Sequence, residues 1–259
     1  AVSATRLAAL LMWRRIRETP DAVLGLATGR TMERVYAHLA AMHEQDGLDL
    51  SRCRTFNLDE YIGVPPADTH SYRYYMNQHL FRKVNIDLRN THLPDGMAQD
   101  LKAACRAYES LIARCGGIDL QLLGIGVSGH IGFNEPLSAL NSRTRDKALT
   151  PATLRQNAPL FDGDPNRVPR RALTMGVGTI LEARSLLVVV TGEEKADIVA
   201  KAVEGPITSM VSASAIQLHR DCKVIVDEPA ATRLQGCEYY RWIYQNEPEW
   251  ALFRELLPA

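Results

Sequence analysis

The chain has 259 residues, with 30 Lys and Arg balanced by 30 Asp and Glu and 46% hydrophobic residues. That length buries a full core without staples, and a formal net charge of zero argues against the broad cationic face that nucleic-acid binding requires. A small anionic ligand remains open, because a few well-placed cations hold one. The five cysteines, Cys53, Cys105, Cys115, Cys222 and Cys237, are odd in number and show no C-x-x-C spacing. They read as free thiols, with neither a disulfide framework nor a metal site indicated. No apolar run approaches the ~18 residues of a membrane span, and the first 18 residues lack the apolar core and cleavage site of a targeting peptide. The expectation is a cytoplasmic protein with no membrane partner.

In chain order, the pattern predicts an amphipathic helix over 1–18, a short buried strand over 22–26 (AVLGL), a turn over 27–31 and a helix over 33–43. A strand over 53–58, an aromatic-rich helix over 72–81, a helix over 99–113 and a central strand over 118–123 follow. The clearest strand is 185–191 (SLLVVVT), succeeded by a helix over 194–203, the segment 211–218 and a strand over 223–226. No repeat or linker divides the chain, so residues 1–259 are expected to form one domain. Continuous apolar strands between helices predict an α/β fold with a mostly parallel sheet covered on both faces. Ligands of such sheets sit beyond the carboxyl ends of the strands. The region 143–171 is polar and carries Pro151, Pro159, Pro165 and Pro169. It reads either as a lid or as an ordered surface excursion.

Four strand ends carry chemistry. After Leu26, the turn Thr28-Gly29-Arg30-Thr31 offers hydroxyls, a guanidinium and free backbone N–H groups to a monophosphate; the bland alternative is an ordinary turn with Thr31 capping the helix. After Leu58, the adjacent carboxylates Asp59 and Glu60 are placed for acid–base work, Asp59 as a base on a C–H proton, against the alternative of a solvated loop pair or an N-cap. After Leu123, Gly124, Gly126 and Gly129 formally match a dinucleotide fingerprint. His130, Asn134, Glu135 and Pro136 follow at once, where a helix should open. This loop reads better as a site wall in which His130 and Glu135 exchange protons with the ligand. After Val190, Lys195 stands in a helix first turn, where the dipole disfavours a cation; it is an anion contact or a solvated lysine.

Together, LGLATGRT, FNLDEYIG with THSYRYYM, LLGIGVSGHIGFNEP with SRTRDK, RALTMGVGTILEA, TGEEKA and DEPA resemble the glucosamine-6-phosphate deaminase (isomerase) family, in family order over nearly the whole chain. The resemblance implies a modified Rossmann-type fold with a lid and a hydrolase acting on an amino sugar phosphate. Glucosamine 6-phosphate would become fructose 6-phosphate and ammonia, with a small-molecule sugar phosphate as partner and no redox or metal cofactor. By resemblance Asp59 moves a proton between C2 and C1, and His130, assisted by Glu135, opens the pyranose ring. Thr28, Gly29, Thr31 and Lys195 hold the phosphate, and Tyr72 is a ring-side contact.

Several positions depart from the family pattern. Ser128 stands where many members carry a carboxylate, so His130 is expected to lean on Glu135. Pro159 stands where an Arg phosphate ligand is usual, Arg30 replaces a Ser and Met32 a Pro; Arg30 is expected to supply the missing phosphate charge, with Arg155 as second candidate. Ser138, Arg145 and Lys147 fit an allosteric site for N-acetylglucosamine 6-phosphate found in some members, whereas Ala139 and Ala148 replace hydroxyl residues. The resemblance leaves a homo-oligomer open. Galactosamine 6-phosphate is the alternative substrate, and a sugar-phosphate sensor without catalysis is the alternative from another class. A 6-phosphogluconolactonase or ribose-5-phosphate isomerase shares the general fold, but FNLDEY with GHIGFNEP disfavours both.

Overall fold

A computed structural model of the chain describes residues 2–257; of the helix expected over 1–18, Ala1 lies outside the described residues. The strands are β1 (Val23–Leu26), β2 (Arg54–Asn57), β3 (Asp59–Tyr61), β4 (Thr91–His92), β5 (Leu120–Leu123), β6 (Arg145–Ala148), β7 (Arg171–Thr174), β8 (Ser185–Val190) and β9 (Cys222–Val226). The helices are α1 (Val2–Glu18), α2 (Arg30–Asp46), α3 (Tyr72–Met76), α4 (Leu101–Arg114), α5 (Pro151–Asn157), α6 (Val177–Leu181), α7 (Ala196–Val203), α8 (Glu228–Ala231), α9 (Cys237–Asn246) and α10 (Ala251–Leu256).

Six strands form one parallel sheet in the order β4-β2-β1-β5-β8-β9. Leu24 of β1 is in register with both Thr55 of β2 and Leu120 of β5. Every residue of β1, β5 and β8 is buried, as a sheet covered on both faces requires. Helix α2 turns Met32, Val35, Tyr36, Leu39 and Met42 inward at helical spacing. Strand order runs outward in opposite directions from β1 and β5, so their carboxyl ends flank the switch point where a doubly wound sheet opens a crevice. Among the described residues no helix is long and apolar enough to cross a membrane.

A second sheet of three antiparallel strands, β3-β7-β6, lies outside the expected pattern. The strand expected over 53–58 ends at Asn57, and the chain changes sheets at Leu58. Its N–H donates to Leu26 O of the large sheet (3.0 Å), while its carbonyl accepts from Met175 N beyond β7 (2.6 Å). Asp59 then pairs with Thr174. The region 143–171 is an ordered excursion built of β6, α5 and a 3₁₀ turn over Ala158–Leu160. Its Leu149, Ala158, Phe161 and Val168 pack with Tyr61, Tyr72 and Phe133 in a small core of their own.

Other differences are local. The helix expected over 72–81 is α-helical only to Met76 and π-helical over Asn77–Phe81. A 3₁₀ turn over Glu193–Lys195 precedes α7, and residues 212–218 form a 3₁₀ helix.

The paired carboxylates expected at 59 and 60 separate because successive strand side chains point to opposite faces. Glu60 turns away from the crevice and accepts backbone N–H groups from Tyr61 (2.9 Å), Tyr72 (3.0 Å) and Arg73 (3.0 Å). It thereby fixes the start of α3 against β3. Replacing Glu60 by Ala strands these buried donors and should lower stability by about 3 kcal/mol in urea unfolding; Glu60→Gln, with one accepting oxygen, should fall between.

Candidate active site

The carboxyl ends of β1, β2, β5 and β8 meet around a cleft of about 700 Å³. Thr28, Gly29, Arg30, Thr31, Asp59, Tyr72, His130 and Lys195 all line it, as the sequence placed them. Ser128 and Glu135 do not; they stand behind His130.

The turn after β1 is held open rather than capped. Gly29, at φ 121°, is the N-cap of α2 and no side chain caps the helix. Thr31 is not the cap: its hydroxyl is 2.9 Å from Thr191 Oγ1 in the turn after β8. Tyr75 Oη donates to Gly29 O (2.9 Å) and accepts from Gly29 N (3.2 Å), and Tyr36 Oη donates to Ala27 O. The first N–H groups of a helix lack intrahelical partners, so a rigid turn here presents donors to an anion. In the cleft lining, Lys195 Nζ donates to Ile125 O (2.9 Å), and burial pulls its pKa down. Asp227 Oδ1 accepts from Gly192 N (3.0 Å) and from Ala230 N (3.1 Å), fixing the turn that carries Lys195.

Asp59 is 6% exposed, and its carboxylate accepts no hydrogen bond among the described residues. Burial, reinforced by the charge of Glu60, pushes its pKa up to about 8. A carboxyl so tuned can take a proton from carbon near neutral pH and return it.

The loop after β5 folds back on itself, with Gly126 N donating to His130 O (2.9 Å), and no helix opens there. The formal dinucleotide fingerprint therefore lacks its helix. A Cβ at Gly126 would lie 2.0 Å from His130 Nε2, so only glycine leaves room for the imidazole. His130 Nδ1 faces inward, 2.7 Å from Ser128 Oγ and 3.1 Å from Glu135 Oε2. Nε2 is thus the nitrogen left for the ligand.

Glu135, which the sequence reads as exchanging protons in the site wall and the resemblance as assisting His130, stands behind the ring and outside the cleft lining. The side chain is 2% exposed, and its other oxygen accepts from Thr150 N (3.0 Å) and Thr150 Oγ1 (3.2 Å) at the start of α5. Burial alone would raise its pKa, but hydrogen bonds and charge from His130, with Thr153 and Thr150, hold it at about 2. It is an anion set against His130 Nδ1, and it fixes the orientation of the ring. Ser128 joins the same cluster, 3.4 Å from Glu135 Oε2, so His130 leans on both.

Pro159 lines the cleft, together with Gln156, Asn157 and Leu160, the other residues the excursion contributes. Arg155 is exposed and does not line it. Ser138, Arg145 and Lys147 also lie outside the cleft. Ser138 is buried with an unpartnered hydroxyl, Lys147 pairs with Ala172 on β7, and Arg145 Nη1 donates to Asn134 Oδ1 (2.8 Å), tying β6 to the His130 loop. Sequence reasoning missed Tyr75, Thr150, Gln156 and Thr191. Only Tyr75 left a signal, in the aromatic run of α3; the others act through contacts distant in sequence.

A crevice at the switch point of a parallel sheet, holding a desolvated carboxylate, an imidazole backed by an anion and a rigid anion-binding turn, defines an α/β enzyme that moves protons on a small anionic substrate. The chain belongs to the family described as glucosamine-6-phosphate isomerases/6-phosphogluconolactonase, whose model matches residues 1–225. It is 48% identical over 244 residues to the glucosamine-6-phosphate deaminase of Streptomyces coelicolor, covering 94% of each chain. It is 50% identical to that of Hahella chejuensis over 89% of this chain and 87% of the relative. A solved structure of a monomeric glucosamine-6-phosphate deaminase, described as a missing link of the NagB superfamily, superposes with a TM-score of 0.87 at 41% identity, covering 90% of this chain and 97% of the other. A 6-phosphogluconolactonase from Leishmania guyanensis, at 20% identity and a TM-score of 0.68 over 90% of this chain and 95% of the other, shares the fold.

The raised pKa of Asp59 makes stability depend on pH. The folded state binds this proton more tightly than the unfolded state, whose value is near 3.8, so stability is greatest below that pH and falls as pH rises toward 8. Asp59→Asn should therefore stabilise the protein by on the order of 3 kcal/mol at pH 8. In urea melts the gain should shrink toward pH 4, and a gain independent of pH would contradict the assignment.

Proposed function

We infer that the chain converts glucosamine 6-phosphate to fructose 6-phosphate and ammonia, as its relatives are named for doing. The observation that carries the reading is the placement of Asp59, a buried carboxylate without hydrogen bonds among the described residues, in the same cleft as His130 and the α2 turn. The phosphate lies at Thr28, Gly29 and Thr31 with Lys195, and Tyr72 stands beside the sugar ring. His130 Nε2 opens the pyranose by moving a proton between the C1 hydroxyl and the ring oxygen, while Ser128 and the Glu135 carboxylate steady Nδ1. In the open-chain amino aldehyde Asp59 removes the C2 proton, giving an enolamine, and delivers it to C1. The resulting ketimine at C2 adds water and expels ammonia, leaving the ketose. The hydrolase class expected from the resemblance describes only this last step; the reaction is an aldose–ketose isomerisation ending in loss of ammonia. We also propose that the 143–171 excursion serves as the lid of this cleft.

The test is release of ammonia and fructose 6-phosphate from glucosamine 6-phosphate, run beside galactosamine 6-phosphate. Turnover should follow the gluco sugar and fall about 10³-fold in Asp59→Asn. Galacto-only turnover would change the substrate, and an active Asp59→Asn would remove the base. Because Asp59 works as its carboxylate, the rate should climb as pH rises through about 8. A carboxylate introduced by Ser128→Asp would add a charge beside His130 Nδ1 and should alter the pH–rate profile; superimposable profiles would show that position 128 does not act through His130.

A further inference from the structure

The cleft must neutralise a phosphate dianion, and the structure shows which groups are in place to do so. The excursion offers the cleft Gln156, Asn157, Pro159 and Leu160, none of them charged, while Arg155 lies outside. Lys195 is present, but one ammonium already donating to Ile125 O does not balance a dianion by itself. Two further cations line the cleft, Arg30 and Arg34, four residues apart and hence on one face of the first turns of α2. Both side chains are exposed, and neither guanidinium makes a hydrogen bond or ion pair among the described residues. A cation at the first position of a helix works against the dipole, so Arg30 does nothing for the stability of α2. A planar guanidinium matches two phosphate oxygens at once, which an ammonium cannot do.

We propose that the phosphate charge is met by a guanidinium pair on α2, Arg30 in contact and Arg34 behind it, so that a phosphorylated ligand is held by the large sheet's own helix with no charge supplied by the excursion. This rests on the functional reading above for the identity of the ligand. Its structural consequence is that phosphate capture does not wait on the position of residues 143–171. The rigid turn, tied down by Tyr75 and Tyr36, already holds Arg30 at the rim of the cleft.

The experiment compares Arg30→Ala, Arg30→Lys, Arg34→Ala and Arg155→Ala by steady-state kinetics with glucosamine 6-phosphate and by competitive inhibition with inorganic phosphate. Losing a charge-assisted contact should raise KM about 10- to 30-fold in Arg30→Ala, with a parallel rise in the phosphate inhibition constant and kcat within about threefold of wild type. Arg30→Lys should recover part of the loss, Arg34→Ala should show a rise of about threefold, and Arg155→Ala should match wild type. Unchanged KM and phosphate inhibition in Arg30→Ala, or the loss appearing in Arg155→Ala instead, would overturn the proposal. The functional reading fails separately. A wild-type chain that releases no ammonia, yet binds inorganic phosphate in an Arg30-dependent way by calorimetry, would sink the reaction and keep the guanidinium pair.

Discussion

Asp59 carries a carboxylate that burial deprives of water and that no hydrogen bond among the described residues solvates in return. An isolated charge in such a place is unfavourable, so the group settles between its two protonation states near neutral pH instead of staying ionised. That condition depends on geometry set at Leu58, where one peptide unit bonds to the large sheet through its N–H and to the small sheet through its carbonyl. The junction leaves the side chain of residue 59 facing the crevice and turns that of residue 60 into the support of α3. Two neighbouring acids thus acquire opposite tasks. One is kept free of hydrogen bonds, and the other is saturated with them.

The imidazole is treated in the reverse manner. Glu135 is equally hidden from water, yet hydrogen bonds from His130, Thr153 and Thr150 keep it ionised, and its charge stands directly behind His130. Within one cleft, burial alone raises an acid while burial with donors lowers one, which is how a site acquires both a base and an oriented proton carrier. Ser128 adds a neutral link to this cluster, so the charge behind the ring comes from Glu135 alone.

Much of this was legible in the sequence, and the physical reasons are particular. The inner strands β1, β5 and β8 announce themselves because each is buried on both faces and so reads as a largely apolar run, SLLVVV above all, whereas the two-residue edge strand β4 (TH) left no pattern to read. The residues after four strands of the large sheet bear the chemistry because strand ends of such a sheet converge on the switch point. Asp59, His130 and the 28–31 turn were therefore findable. The small sheet was not, since β3 (DEY) and β6 (RDKA) are three and four residues long and mostly polar, with no periodicity to read. Nor was the split between Asp59 and Glu60, which follows from alternation in a strand that the sequence hides. The place of Glu135 behind the ring and the Thr31–Thr191 contact depend on the packing of distant segments. Met32, where the family pattern has Pro, is buried in the core as an ordinary inward residue of α2.

The crossing at Leu58 has one more consequence. The 28–31 turn belongs to the large sheet and Asp59 to the small one, so the span between them is set by how the two sheets are joined. Under the proposed function, with the phosphate at the 28–31 turn and Asp59 working on carbons one and two, this join would decide the length of sugar phosphate the cleft accepts, through the backbone and before any contact to the sugar hydroxyls is made.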